Sequence, residues 1–130
     1  MNINDYIIQI ESLINSSSAV SSYNLTIDKK IEDIAFISGS VEFRDGSVLD
    51  FKEFCESTEQ GIGKYKYANN YRLSSDILFR YDNAPDPNAK GLKTFPHHKH
   101  LKNNDIVESR QMELKDVLEE IEGTYIIKED

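Results

Sequence analysis

The residues of this chain with the clearest chemical potential are its histidines, since all three lie in the stretch His97-His98-Lys99-His100. Imidazole titrates near pH 6.5, so histidine can accept or donate a proton at neutral pH. Residues 89–104 also contain four lysines and no acidic residue, a local charge of +4 in a chain whose net charge is −8. This segment is therefore where a phosphate or a nucleic-acid backbone would be attracted.

Histidine beside lysine suits RNA cleavage by transesterification. That reaction needs a base to deprotonate the 2′-hydroxyl, an acid to protonate the leaving 5′-oxygen, and a cation to stabilise the charged phosphorane. We predict that His98 or His100 is the general acid or base. Lys99 and Arg80 would stabilise phosphate charge, and Asp82 would orient a histidine. On this hypothesis the protein is a metal-independent endoribonuclease that needs no cofactor.

The same residues allow other interpretations. His98 and His100 form an H-x-H pair that could bind a metal ion on one side of an extended strand, with Asp82 or Glu53 as a third ligand. Asp82 and Asn83 could instead cap the turn that begins the next loop. The histidine stretch could also be a solvated loop, or part of a non-enzymatic module whose basic loop docks a protein partner or a nucleic acid.

A row of tyrosines precedes the histidine stretch. Tyr65, Tyr67 and Tyr71 have the spacing of residues on one face of a strand. They could stack on RNA bases, with Arg72 and Arg80 as phosphate clamps. The alternative is a half-buried sheet face that packs into the core.

The hydrophobic pattern indicates a scaffold of helix, then strands, then helix. Apolar residues at three- and four-residue spacing predict a first helix from Ile3 to Ile14, capped by Asn4 or Asp5. Alternating apolar residues predict strands at 20–27, 34–44, 47–55, 64–72 and 76–82, with Asp45-Gly46 as a hairpin turn and 60–63 as a second turn.

The pattern changes after residue 83. A proline-containing loop runs to Pro96, because proline fixes φ and denies a donor to any strand pairing. A second helix is predicted to end at Gly123, followed by a short edge strand at 124–127. Its apolar side carries Met112, Leu114, Val117, Leu118 and Ile121.

Together these elements predict one α+β domain over residues 1–130. Its twisted antiparallel meander would have about four to five strands, with both helices on one face. The single cysteine, Cys55, excludes an internal disulfide and a cysteine-based zinc site. We expect Cys55 to be a core residue and the protein to be cytoplasmic, without a membrane segment or a leader peptide.

Two segments resemble a known family. Residues 77–85 read ILFRYDNAP and residues 94–100 read TFPHHKH, a pair of motifs similar to the signature of the TumE family of bacterial toxin–antitoxin proteins. The resemblance extends over roughly residues 34–122. Residues 86–91 depart from the family pattern, since they lack the histidines expected there.

The resemblance implies a toxin whose partner is a small helix-turn-helix antitoxin, and toxicity through RNA cleavage or another block on translation. In outline, a small toxin built of helices and an antiparallel sheet is also similar to the RelE and barnase type of ribonuclease, which is an analogy of fold alone. A homodimer is left open. Motif matching places the functional edge at Arg80, Tyr81, Asp82, Asn83, His97, His98, Lys99 and His100. Substrate binding is expected of Tyr67, Tyr71, Arg72, Tyr81, Asn83, His97 and Lys93.

Overall fold

A meandering antiparallel sheet forms most of the structure. The structure is a computed structural model that describes residues 1–126. Over these residues seven strands pair in chain order, each with the next. They are β1 (Val20–Ile31), β2 (Ile34–Phe43), β3 (Val48–Thr58), β4 (Gly61–Leu73), β5 (Asp76–Asp82), β6 (His98–Leu101) and β7 (Ile106–Glu108).

One helix precedes the sheet in the chain and one follows it: α1 (Ile3–Asn15) and α2 (Leu114–Glu120). A π-helical turn, Ile121–Tyr125, continues α2. The α+β class is confirmed, but the prediction of four to five strands was too low. Strands β6 and β7 were missed because they are only four and three residues long, too short to show the apolar alternation that marks a strand. No helix within residues 1–126 is long and apolar enough to cross a membrane.

Both helices pack against one face of the sheet. Ile10 of α1 and Val117 of α2 lie in the same buried cluster as Ile37, Leu49 and Tyr71 of the strands. Side chains alternate between the two faces of a strand, so every second residue of β2 to β5 faces these helices. We call this the covered face and the opposite side the helix-free face.

The helix ends differ in detail from the sequence predictions. Asn2, two or three residues earlier than predicted, caps α1: its side chain accepts a hydrogen bond from Asp5 N at 2.8 Å. Gly123 lies inside the π-helical turn and does not stop the helix at that point. Residues 124 and 125 belong to the same turn, so the edge strand predicted there is absent, and Ile127 lies outside the described residues.

A β-bulge in β4 changes which side chains share a face. Lys66 pairs with Phe54 and Lys64 with Cys55, so Tyr65 is the extra residue. The bulge turns Tyr65 onto the helix-free face beside Phe54, with ring centroids 5.6 Å apart. It also turns Lys64 under the helices, where its side chain is only 2% exposed. The prediction that Tyr65 shares a face with Tyr67 was therefore wrong.

The ring of Phe51 lies so close to the backbone of β2 that position 39 requires glycine. A Cβ atom built on Gly39 would lie 2.6 Å from the ring of Phe51 and 3.0 Å from Asn24 O. We expect Gly39→Ala to lower the free energy of unfolding by about 1–3 kcal/mol, because the overpacked ring must move. Urea denaturation measures this difference.

The matched control for that measurement is Gly63→Ala in β4. A Cβ atom there would meet only Glu56 O, at 4.0 Å, so the stability should change little. Equal destabilisation by the two variants would contradict the packing argument.

Cys55 is a buried core residue, as predicted. Burial, together with the nearby charge of Glu53, raises the pKa of its thiol to about 11. The reactive thiolate should therefore be about a thousandth of the thiol at pH 8. Iodoacetamide should label the native protein far more slowly than the protein in urea; equal rates would show that the thiol is accessible.

Candidate functional site

The site forms around the carboxylate of Asp82, the last residue of β5. Asp82 Oδ1 accepts a hydrogen bond from Ala84 N at 2.9 Å, which caps the start of the proline-containing loop. Asp82 Oδ2 accepts one from Arg80 Nε at 2.8 Å. The side chain is only 4% exposed. Asp82 thus caps the turn and also lies within the site. From the sequence these were alternative roles, and the structure allows both.

Strand β6 places two histidines beside this carboxylate. His98 pairs with Asp82 and His100 with Arg80 across the β5–β6 ladder, so both imidazoles lie on the helix-free face. His98 Nε2 is 3.1 Å from Asp82 Oδ1, and His100 Nε2 is 3.4 Å from Asp82 Oδ2. The two Nε2 atoms are 3.0 Å apart. The H-x-H spacing therefore brings both rings together with Asp82.

The contact of His98 with Pro96 determines which nitrogen of the His98 ring carries a proton. His98 Nδ1 lies 2.7 Å from Pro96 O, and a carbonyl oxygen only accepts, so Nδ1 carries a proton. In a neutral ring His98 Nε2 is then an acceptor, and the N–H that faces it is His100 Nε2–H. This arrangement leaves Nδ1 of His100 as the basic nitrogen, and no hydrogen bond within residues 1–126 engages that atom.

Two clefts on the helix-free face meet at Arg80, Asp82 and Ala84. The larger has a volume of about 580 Å³ and is lined by His100 and Lys102 as well. Arg80 is 40% exposed and His100 is 28% exposed, whereas His98 is fully buried. A ligand in this cleft can therefore reach the guanidinium of Arg80 and the ring of His100, but not the ring of His98.

The second cleft, of about 420 Å³, combines aromatic rings with cations. The rings of Phe54 and Tyr65 are neighbours there, and Phe36 lies 6.4 Å from Phe54 between ring centroids. Lys52 and Lys66 line the same cleft. Sequence reasoning missed all of these except Tyr65, although Lys52 and Phe54 stand two residues apart on β3 and so share a face.

The remaining members of the histidine stretch lie on the covered face. Lys99 Nζ donates to Glu120 Oε2 of α2 at 2.9 Å and lies 4.8 Å from the centre of the Tyr81 ring. Tyr81 OH donates to Glu120 Oε1 at 2.5 Å, and burial together with Glu120 raises the pKa of this phenol. The structure therefore separates Lys99 and Tyr81 from His98 and His100 by the thickness of the sheet.

His97 also faces away from the cluster. Its Nδ1 atom is 2.8 Å from Tyr67 OH, and the two rings stack with centroids 5.8 Å apart. Burial, with the charge of Asp82, raises the pKa of the Tyr67 phenol. Tyr67 is thus a packing partner of the loop, and its ring offers no free face for a base.

Three further candidate residues have structural contacts. Tyr71 is fully buried and donates to Ser47 Oγ at 2.8 Å, so the prediction that it stacks on RNA was wrong. Arg72 Nε donates to Asp50 Oδ2 at 2.8 Å on the helix-free face. Asn83 accepts from Tyr67 N and donates to Tyr65 O, both at 3.0 Å, which extends the β4–β5 pairing by one residue.

Lys93 and Glu53 lie outside the cluster. Lys93 is held through its backbone, where Lys93 N donates to Glu108 Oε1 at 3.3 Å. Glu53 lies under α1, where Tyr6 OH donates to its Oε1 atom and Lys64 Nζ is 3.4 Å away. Burial and Glu53 raise the pKa of the Tyr6 phenol. Of the two acids considered as a third metal ligand, Asp82 is the one beside the histidines.

Lys99 and Glu120 fasten β6 to α2, and this pair can be tested by a double-mutant cycle. Lys99→Met and Glu120→Gln should each lower the free energy of unfolding. Their coupling should be about 1 kcal/mol, since both side chains are about one-fifth exposed. Urea denaturation of the four proteins measures it; strictly additive effects would show that the ion pair does not hold β6.

Comparison with known proteins gives one match. The family described as Toxin TumE matches residues 10–125, which include both motifs, both clefts and the whole Asp82 cluster. No curated protein and no solved structure matches the chain. The loose likeness to RelE and barnase accordingly stays a prediction.

Proposed function

Since the chain belongs to the TumE family of toxins, we propose that it is an endoribonuclease that blocks translation by cleaving RNA on the helix-free face. The toxin family implies an antitoxin as partner. We propose, on the family resemblance, that this antitoxin is a small helix-turn-helix protein and that the pair acts in the cytoplasm.

One observation carries the proposal: a guanidinium and an imidazole lie at the rim of an open cleft, and one carboxylate orients both. Arg80 reaches the cleft while its Nε atom is held by Asp82, so its other N–H groups can bind a phosphate. His100 Nε2 is held by His98 and Asp82. Its Nδ1 atom is then the free base in the cleft.

In the proposed reaction, His100 Nδ1 takes the proton of the RNA 2′-hydroxyl. The 2′-oxygen attacks the adjacent phosphorus, the bond to the 5′-oxygen breaks, and that oxygen takes a proton from the solvent or an acid in the cleft. The products are a 2′,3′-cyclic phosphate and a free 5′-hydroxyl. Arg80 stabilises the charge of the phosphorane, while Asp82 and His98 position the ring of His100.

The second cleft supports binding of a single strand next to this point. Successive bases can stack on Tyr65 and Phe54, and Lys52 and Lys66 can pair with the phosphates. Tyr65 is 56% exposed, so one ring face is free for a base. The chain is acidic overall, with a net charge of −8, which disfavours binding of RNA elsewhere on the surface.

The test is cleavage of RNA by the purified protein in EDTA. His100→Ala should lower the rate by about 10²–10⁴-fold, the range for loss of a general base. Arg80→Ala should lower it by about 10²–10³-fold, the range for loss of a donor that stabilises the charge of a transition state. Equal cleavage by both variants and the wild type would remove these side chains from the mechanism.

His97→Gln is the matched control, because it removes an imidazole of the same stretch from the opposite face of the sheet. It should keep the wild-type rate. Loss of all cleavage in EDTA would contradict acid–base chemistry without a metal ion. Binding of RNA without turnover under every condition would favour the alternative of a binding module.

A further inference from the structure

Three side chains with metal-ligand atoms converge at the buried end of the larger cleft: His98 and His100 through Nε2, and Asp82 through its carboxylate. The two Nε2 atoms are 3.0 Å apart, His98 Nε2 is 3.1 Å from Asp82 Oδ1, and His100 Nε2 is 3.4 Å from Asp82 Oδ2. With one ligand atom taken from each residue, the three atoms all lie within 4.8 Å of one another. Bonds of about 2.0–2.1 Å from one ion to each ligand put neighbouring ligand atoms about 2.9–3.4 Å apart, the limits for octahedral and tetrahedral angles. We propose that these three side chains bind one divalent transition-metal ion. Metal binding would move the proton of His100 from Nε2 to Nδ1.

The donors are held in place by other parts of the chain. His98 Nδ1–H donates to Pro96 O at 2.7 Å, which points the Nε2 lone pair at the shared position. Ala84 N and Arg80 Nε donate to the two oxygens of Asp82. Hydrogen bonds of this kind orient histidine and carboxylate ligands at metal sites and make the ligands more basic.

The burial of His98 gives a second reason for a cation. Its side chain is fully buried, and in the neutral ring its Nε2 acceptor faces Asp82 Oδ1, another acceptor, at 3.1 Å. One N–H, that of His100, has to serve both. A cation among the three atoms would satisfy all of them at once, which a single proton cannot do.

The ligand set selects the class of metal. Two imidazoles and one carboxylate suit Zn²⁺, Fe²⁺, Co²⁺ or Ni²⁺, whereas Mg²⁺ and Ca²⁺ prefer oxygen ligands. Because His100 lines the cleft, the remaining coordination positions would face that cleft. Three protein ligands with an open position are typical of sites that bind water or a substrate group, and closed structural sites have four.

The proposed metal site does not depend on RNA cleavage by this protein, but a bound metal ion would affect the proposed cleavage reaction. A cation on Nε2 of His100 leaves the ring proton on Nδ1, the atom proposed above as the base. The metal-loaded protein should therefore lack the acid–base cleavage of the metal-free protein. Metal binding can be present or absent whichever way the RNA experiment turns out, so the two failures are distinguishable.

The test is titration of the metal-free protein with ZnCl₂ and, separately, with MgCl₂ in a calorimeter. We expect one Zn²⁺ per chain and no saturable binding of Mg²⁺ in the same range. His100→Ala lies at the rim of the cleft and removes one ligand, so it should weaken Zn²⁺ binding by at least about 100-fold. Unchanged binding by His100→Ala, or equal affinity for Mg²⁺, would overturn the proposal.

His97→Gln is the control, since it removes a neighbouring histidine on the covered face and should keep one tight Zn²⁺ site. A second measurement needs no variant: the imidazole nitrogen signals of the wild type in ¹⁵N NMR. Zn²⁺ should shift the Nε2 signals of His98 and His100 and leave those of His97 in place. A shift confined to His97 would place the ion elsewhere and contradict the assignment.

Discussion

The buried carboxylate of Asp82 is the constraint on which the site depends. A carboxylate that loses water costs several kcal/mol unless donors surround it. Here Ala84 N and Arg80 Nε supply two of those donors, and two imidazoles of β6 lie within 3.4 Å. The need to satisfy one charged group therefore joins the end of β5, the start of the proline-containing loop and strand β6.

The pleat of β6 then divides the functions of adjacent residues. His98 and His100 point to the helix-free face, where an open cleft meets them, and Lys99 between them points to α2. Lys99, the lysine within the histidine stretch, thus fastens β6 to α2. Arg80, one position before Tyr81 on β5, supplies the cation on the open side in its place.

Sequence reasoning predicted the parts of the fold that hydrophobic periodicity controls. Helix α1, the Asp45-Gly46 turn and β5 at 76–82 lie where apolar spacing and turn residues placed them. It failed where pairing with a neighbour decides the structure. Strand β6 has no apolar alternation of its own and exists because β5 offers it a partner. The bulge at Tyr65 reverses the faces of Lys64 and Tyr65, and neither of these residues is a glycine or proline that would mark it.

The candidate site was predictable in its members and not in its geometry. The motifs contain Arg80, Asp82, His98 and His100, but they contain His97, Lys99 and Tyr81 as well. Only the register of β5 with β6 shows which of these meet. The ring pair Phe54 and Tyr65 could not be found, because it depends on the bulge.

The central claim is that the helix-free face, with the Asp82 cluster at its edge, is where this toxin meets RNA. The most direct measurement is the change in backbone amide signals when a single-stranded RNA with 2′-O-methyl groups is added, since it binds without being cut. Changes are expected at Lys52, Phe54, Arg80 and His100, and none at the residues of α1. Changes confined to α1, α2 and Lys99 would place RNA on the covered side and contradict it.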